Sequence, residues 1–318
     1  MSVSDTGSNS KAQVVSKVLY VLLAVICILP IINAPIALFL GLVLALTVGC
    51  PYPKINRFAS KYLLQVSVVG LGFGMNINEA MKAGSDGLLF TVVSVVSVLT
   101  LGIILGKWLG LNKINSFLIS SGTAICGGSA IAAVGPISKA SESEMSVSLA
   151  TIFILNAIAL FIFPVLGHFF DLSQYQFGLW SAIAIHDTSS VVGAGASFGE
   201  EALKVATTVK LTRALWIIPL SIFAIYFFKA KGEKISIPWF ILLFIVAMIV
   251  NTYVAIPDQF SSTILFVSHR MLVVTLFFIG AALTRTTLKT VGLRPLILGV
   301  TLWIFIAVVS LLFIQWMY

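Results

Sequence analysis

From about residue 18 to the C-terminus the chain is a near-continuous succession of apolar runs, broken only by short polar connections. Eleven such segments fall at roughly 18–32, 35–49, 62–77, 87–110, 114–138, 145–167, 176–198, 205–228, 237–256, 264–284 and 295–317. About 20 apolar residues cross the hydrocarbon core of a bilayer as a helix, so most segments are long enough. No connection between them has room for a soluble domain. Composition closes the alternatives: of 318 residues, 59% are hydrophobic and 9% charged, against about 25% charged in soluble proteins. Cys27, Cys50 and Cys126 sit apart in apolar stretches and define neither a disulfide framework nor a zinc site. The chain reads as an all-α polytopic membrane protein.

The net charge of +8 follows the positive-inside rule and does not describe a nucleic-acid surface. Lys11, Lys17, Lys54, Arg57, Lys61, Lys107 and Lys113 flank apolar runs, as do Lys229, Lys231, Lys234, Arg285, Lys289 and Arg294. The alternate connections are acidic or neutral, at Glu79 to Asp86, Glu200–Glu201 and Asp258. This places the N-terminus inside and the C-terminus outside. No small-residue cleavage site follows the first run, which therefore reads as a span and not a signal peptide. The expected organisation is a polar, mobile tail (1–17), first scaffold helices (18–113), a core (114–228) and second scaffold helices (229–318).

Two ungapped self-alignments give internal repeats. A shift of 208 lays residues 72–89 over 280–297, matching Gly72 with Gly280 and Gly84 with Gly292. By the charge pattern these copies run in opposite directions. A shift of 60 lays 117–135 over 177–195, with Ser121 on Ser181 and Ser129 on Ser189. If both segments crossed the bilayer, this second repeat would be parallel and conflict with the inverted one. The conflict disappears if 114–140 and 176–198 are re-entrant hairpins, giving about nine spans plus two hairpins. The alternative is eleven spans with two broken crossing helices.

Both members of the 60-residue repeat are interrupted, and interrupted segments at matching positions point to a transporter's binding site. Cys126, Gly127, Gly128 and Ser129 break the first, with Ser129 expected to cap a half-helix. His186, Asp187, Thr188, Ser189 and Ser190 break the second, with Asp187, Thr188 or Ser189 as cap. The free N–H groups at each helix start favour an anion; the competing reading is glycine-mediated helix packing. Asp187 is the sole acidic residue deep in an apolar run. It suits coupling to a proton or sodium ion, or pairing with a basic residue. Lys210 and Arg213 share one helix face with Thr207 and suit an oxyanion, although Lys210 is close enough to a surface to snorkel. Asn76, Asn78, Asn156, Trp216 and Thr208 read as satisfied polar groups between helices. His269 and Arg270 look central in the tenth run, but their partners in the 208-residue repeat, Lys61 and Tyr62, begin a helix, so they read as an interfacial entry.

The stretches CGGSAIAA, IHDTSSVVGAG, VKLTRALW and GLGFGMNINEAMKAG resemble the bacterial YeiH-type family, labelled sulfate exporters. That family is in turn similar to the cation:proton antiporter and bile-acid symporter superfamily. The resemblance runs from about residue 35 to the C-terminus. It implies a multi-pass protein of the bacterial inner membrane that moves a small inorganic oxyanion such as sulfate outward. The alternative is a proton- or sodium-coupled carrier of an organic anion or sulfonate, and a remote third is an intramembrane enzyme. Expected partners are the small anion, membrane lipid and a second copy in a homodimer. No catalytic residue, metal, cofactor or nucleic acid is expected.

Overall fold

The computed structural model describes residues 6–78, 81, 88–229, 239–254, 256–282 and 292–318. Lys231, Lys234, Arg285, Lys289 and most of the Glu79 to Asp86 connection lie outside these. So does most of the polar part of the 208-residue repeat.

Among the described residues every long element is helical. The helices are α1 (Thr6–Ile26), α2 (Ala34–Thr47), α3 (Pro53–Leu71), α4 (Leu88–Trp108), α5 (Lys113–Ala124), α6 (Gly128–Ile137) and α7 (Glu142–Phe169). They continue as α8 (Gln174–Ala184), α9 (Thr188–Phe198), α10 (Glu200–Ala214), α11 (Ile217–Phe228), α12 (Trp239–Tyr253), α13 (Asp258–Ala282) and α14 (Leu293–Met317). Among the described residues five stretches are long and apolar enough to cross a membrane, and one of them, Glu200–Phe228, joins α10 to α11. The N-terminus differs from expectation: α1 begins at Thr6, so much of the stretch expected as a mobile polar tail is helical.

Both interrupted segments are hairpins. Helix α5 starts after Asn112, whose side chain caps it by accepting from Asn115 N at 2.7 Å. The amide of the same Asn112 donates to Glu144 Oε1 at 2.7 Å, and Glu144 completes a capping box with Ser141 at the start of α7. The chain therefore leaves and re-enters one face. In the second hairpin the Phe177 and Phe198 rings stack with centroids 3.8 Å apart. A broken helix continuing across the bilayer would hold them about 30 Å apart, at 1.5 Å per residue. Gln174 Oε1 also accepts from Glu201 N at 3.0 Å, closing the same mouth. The 60-residue shift holds to the residue at the breaks: α5 ends at 124 and α8 at 184, while α6 begins at 128 and α9 at 188.

The two mouths lie on opposite faces. Lys113 Nζ sits 3.9 Å over the Phe227 ring, which brings the first mouth to the end of α11. At the second, Tyr175 and Tyr318 meet edge to face at 5.3 Å. The inverted repeat is visible in the scaffold through its matched glycines. Gly72 lets α3 approach α12, where a Cβ would come 2.9 Å from Phe244 O; Gly280 lets α13 approach α2, where a Cβ would come 2.8 Å from Leu42 N. Small residues allow such backbone approach where lipid supplies no hydrophobic drive between helices. Helices α2 and α3 both pack on α13. Asn56 ties the scaffold together, accepting from Tyr20 Oη at 2.9 Å and donating to Phe278 O at 2.7 Å.

Single cysteines at Asn112 and Ser143, in a cysteine-free background, are expected to react with an impermeant thiol reagent from the same side of the membrane. A cysteine at Ser173 is expected to react from the other. Labelling Ser143→Cys and Asn112→Cys from opposite sides would restore two crossing helices.

Candidate functional site

The first tip turns at a glycine for a steric reason. Gly127 caps α6 with φ 62° and ψ −124°, in the left-handed half of backbone space that a side chain disfavours. Its N–H bonds back to Gly122 O at 2.8 Å. A Cβ at Gly127 would also lie 3.3 Å from both Asp187 Cα and His186 O. The two hairpin tips therefore touch backbone to backbone, which spacing in the sequence alone could not reveal. Ser129, expected as the cap, lies instead in the first turn of α6 and is exposed, while Cys126 is buried.

The second tip is held by a residue from between the hairpins. Asn156 on α7 accepts from His186 N and from Asp187 N, each at 3.2 Å. Asp187 takes the N-cap position of α9 in extended backbone, and its carboxylate accepts the Ser189 hydroxyl. An acid at a helix N-terminus neutralises the positive end of the dipole. The tips are thus unequal: α9 begins with its own carboxylate, whereas α6 has no acidic residue in its first turn.

Lys210 and Arg213, one turn apart on α10, are 0% and 1% exposed. Neither snorkels. Lys210 Nζ donates to Ala182 O at 3.2 Å and Ile185 O at 2.7 Å, at the carboxyl end of α8. Arg213 Nη2 donates to Ala124 O at 2.7 Å, the last residue of α5. Its Nη1 donates to Thr91 Oγ1 and Ser94 Oγ on α4, both at 3.2 Å. Each cation thus closes the carbonyl end of one half-helix, where orphan acceptors and the negative end of the dipole converge. Their side chains were expected on an anion; in the structure Lys210 donates twice and Arg213 once to backbone carbonyls, and Arg213 Nη1 donates to two hydroxyls.

Some buried polar atoms have no partner: both ring nitrogens of His186, Arg213 Nε, Asn156 Nδ2, Ser121 Oγ and Thr123 Oγ1. The N–H groups of residues 128–130 and 188–190 precede the first intrahelical bonds, which start at Ile131 and Val191. Of these, the Ser189 and Ser190 N–H groups are taken by the Asp187 carboxylate and the Ala130 N–H by the Cys126 sulfur. Thr188, Ser189 and Ser190 are buried, while Gly128 and Asp187 are half-buried. On the face bearing the second mouth, a cavity of about 410 Å³ opens between the end of α3, α10 and α13. Thr207 lines it, one turn from Lys210. Asn76 bonds locally to Asn78 N, and Thr208 donates to Met75 Sδ, as expected of polar groups between helices. Asn156 was read from the sequence only as a polar group between helices, and Thr91 and Ser94 were not singled out: each is an ordinary polar residue in an apolar helix, with no local signal of what it holds.

The model of the family described as conserved hypothetical protein 698 matches residues 12–299. A Bacteroides thetaiotaomicron protein called "UPF0324 membrane protein" is 59% identical, with 89% of this chain and 86% of the relative covered. A Porphyromonas gingivalis protein of that name is 55% identical over 89% and 87%. One from Bdellovibrio bacteriovorus is 46% identical over 96% of each chain. No solved structure matches the chain.

Two substitutions check this geometry. Gly127→Ala is expected to cost about 1–3 kcal/mol for the forced backbone, whereas Gly128→Ala, whose Cβ meets only side chains at 3.4 Å, is expected to leave the melting temperature in detergent unchanged. Asn156→Ala is expected to cost about 1–3 kcal/mol for each of the two stranded donors, read from the same unfolding curves.

Proposed function

Since the chain belongs to the family described as conserved hypothetical protein 698, the UPF0324 membrane proteins, we propose that this membrane protein is a secondary carrier of a small anion. The observation that carries the reading is the meeting of two hairpin tips, Gly127 against His186–Asp187, inside a scaffold of inverted repeats. Fixed cations secure the tips, and unpaired donors line them. The open start of α6, at Gly128 and Ser129, is the half that receives the anion. Asp187, already occupying the start of α9, is the group that exchanges a proton or sodium ion. Lys210 and Arg213 position the half-helices and give the site its positive field. Catalysis would need an oriented nucleophile and base; Ser189 bonds to Asp187, and the His186 ring bonds to neither.

The sulfate-exporter label suggested by the family resemblance fits energetically. A membrane potential is worth about 2.3 kcal/mol per charge per 100 mV. A divalent anion leaving a negative-inside cell then gains about 4.6 kcal/mol per 100 mV, roughly a 2000-fold gradient, without a coupling ion. Lys113 and the end of α11, with Lys229, share one face. That face is taken as cytoplasmic by the positive-inside rule, with the N-terminus on the same side of a bacterial inner membrane. A sulfonate or other organic anion, coupled through Asp187, is the second reading, favoured by the acid's position at the tip.

The test is counterflow of labelled sulfate and of a sulfonate in proteoliposomes, with and without a proton or sodium gradient. Transport is expected from the wild type. Asp187→Asn, a good N-cap, is expected to remain folded and lose any dependence on the coupling ion. Wild-type pH and sodium dependence in that variant would exclude Asp187 as the coupling group, and no counterflow of any anion would overturn the carrier reading.

A further inference from the structure

The cavity between α3, α10 and α13 is lined unlike the hairpin tips. Its basic lining is Lys204 from α10 with His269 and Arg270 from α13. Its apolar lining includes Met75 after α3, and Leu265 and Phe266 one turn before His269 and Arg270 on the same face of α13. Arg270 is anchored, with Nη1 donating to Leu29 O at 2.8 Å and Ile32 O at 3.1 Å. Among the described residues its other terminal nitrogen makes no hydrogen bond. Glu200 also lines the space, which thus holds the anchored Arg270 and the exposed Lys204 with one carboxylate.

We propose that this cavity is a binding site for a compact organic anion, an acidic head carried on a short apolar body. The head group meets Lys204 and Arg270, and the body lies against Leu265 and Phe266. A bare inorganic oxyanion would have to shed water against an apolar wall that offers it no hydrogen bond. A volume of about 410 Å³, apolar with a few convergent polar groups, is that of a small-molecule site. The cations come from both the core helix α10 and the scaffold helix α13, so the ligand bridges the two. Thr207 at the cavity's edge places it one turn from Lys210. Its role as a vestibule for the tips rests on the carrier reading; its ligand chemistry does not.

The experiment is equilibrium calorimetry on the full chain in nanodiscs of zwitterionic lipid, titrated with butane-1-sulfonate, sulfate and 1-butanol. Butane-1-sulfonate is expected to bind at least tenfold tighter than either of the others. Lys204→Gln is expected to weaken it about tenfold, and Phe266→Asn to bring it down to the level of sulfate. Lys204 is exposed and Phe266 is exposed within an apolar span, so the melting temperature of each variant is read alongside its binding, and a Phe266→Ala variant with a wild-type melting temperature is expected to show the same loss. Equal affinity for sulfate and butane-1-sulfonate, no binding of either, or binding unchanged in both variants would overturn the proposal. So would loss of binding in nanodiscs containing phosphatidylglycerol, which would assign the cavity to a lipid headgroup. Binding as expected without counterflow in proteoliposomes keeps this site and removes only the carrier reading.

Discussion

A helix that stops halfway through a nonpolar medium leaves carbonyl groups that neither water nor the next turn can satisfy. This chain stops two helices there, at Ala124 and at Ala184–Ile185, and solves both with one helix. Arg213 closes the first and Lys210 the second, one turn apart on α10. Burying two like charges so close together is costly. The cost is offset because each cation sees the negative end of a helix dipole and donates to charge-assisted hydrogen bonds. Every other feature of the core follows from this arrangement, since the half-helices can face each other only if their carbonyl ends are held.

The hairpins fix what the rest of the fold must do. Because each returns to its own face, the span α7 joins them and the span α10–α11 follows the second, and these two carry the side chains that hold the tips: Asn156 on one, Lys210 and Arg213 on the other. The scaffold is knitted across its repeats, with α3 resting on α12 at Gly72 and α13 on α2 at Gly280. The core touches the scaffold through Arg213 on α4 and through the Trp180 indole, which donates to Ala307 O on α14 at 2.9 Å. The cavity falls along the same boundary, between α10 and α13.

The two tips differ chemically. The start of α9 carries Asp187 and is already neutralised, whereas the start of α6 presents backbone N–H groups beside an exposed Ser129. Pseudo-symmetry made the two breaks; one acidic side chain made them unequal.

Much was legible in the sequence. Hydropathy gave the polytopic helical class, because backbone in lipid must satisfy its hydrogen bonds within a helix. The 60-residue register located both breaks, and the clash between a parallel and an inverted repeat argued for hairpins. Those are properties of periodicity and direction, which a chain carries along its own length. The pairing of Arg213 with Ala124 across 89 residues, the Asn156 clamp 30 residues from His186 and the contact of Gly127 with Asp187 were decided only in three dimensions. A polar residue in an apolar helix looks the same in sequence whether it bonds to its own turn, as Thr207 does to Leu203 O, or holds another hairpin's tip. The difference is which backbone group packing brings within 3 Å, and only tertiary structure sets that distance.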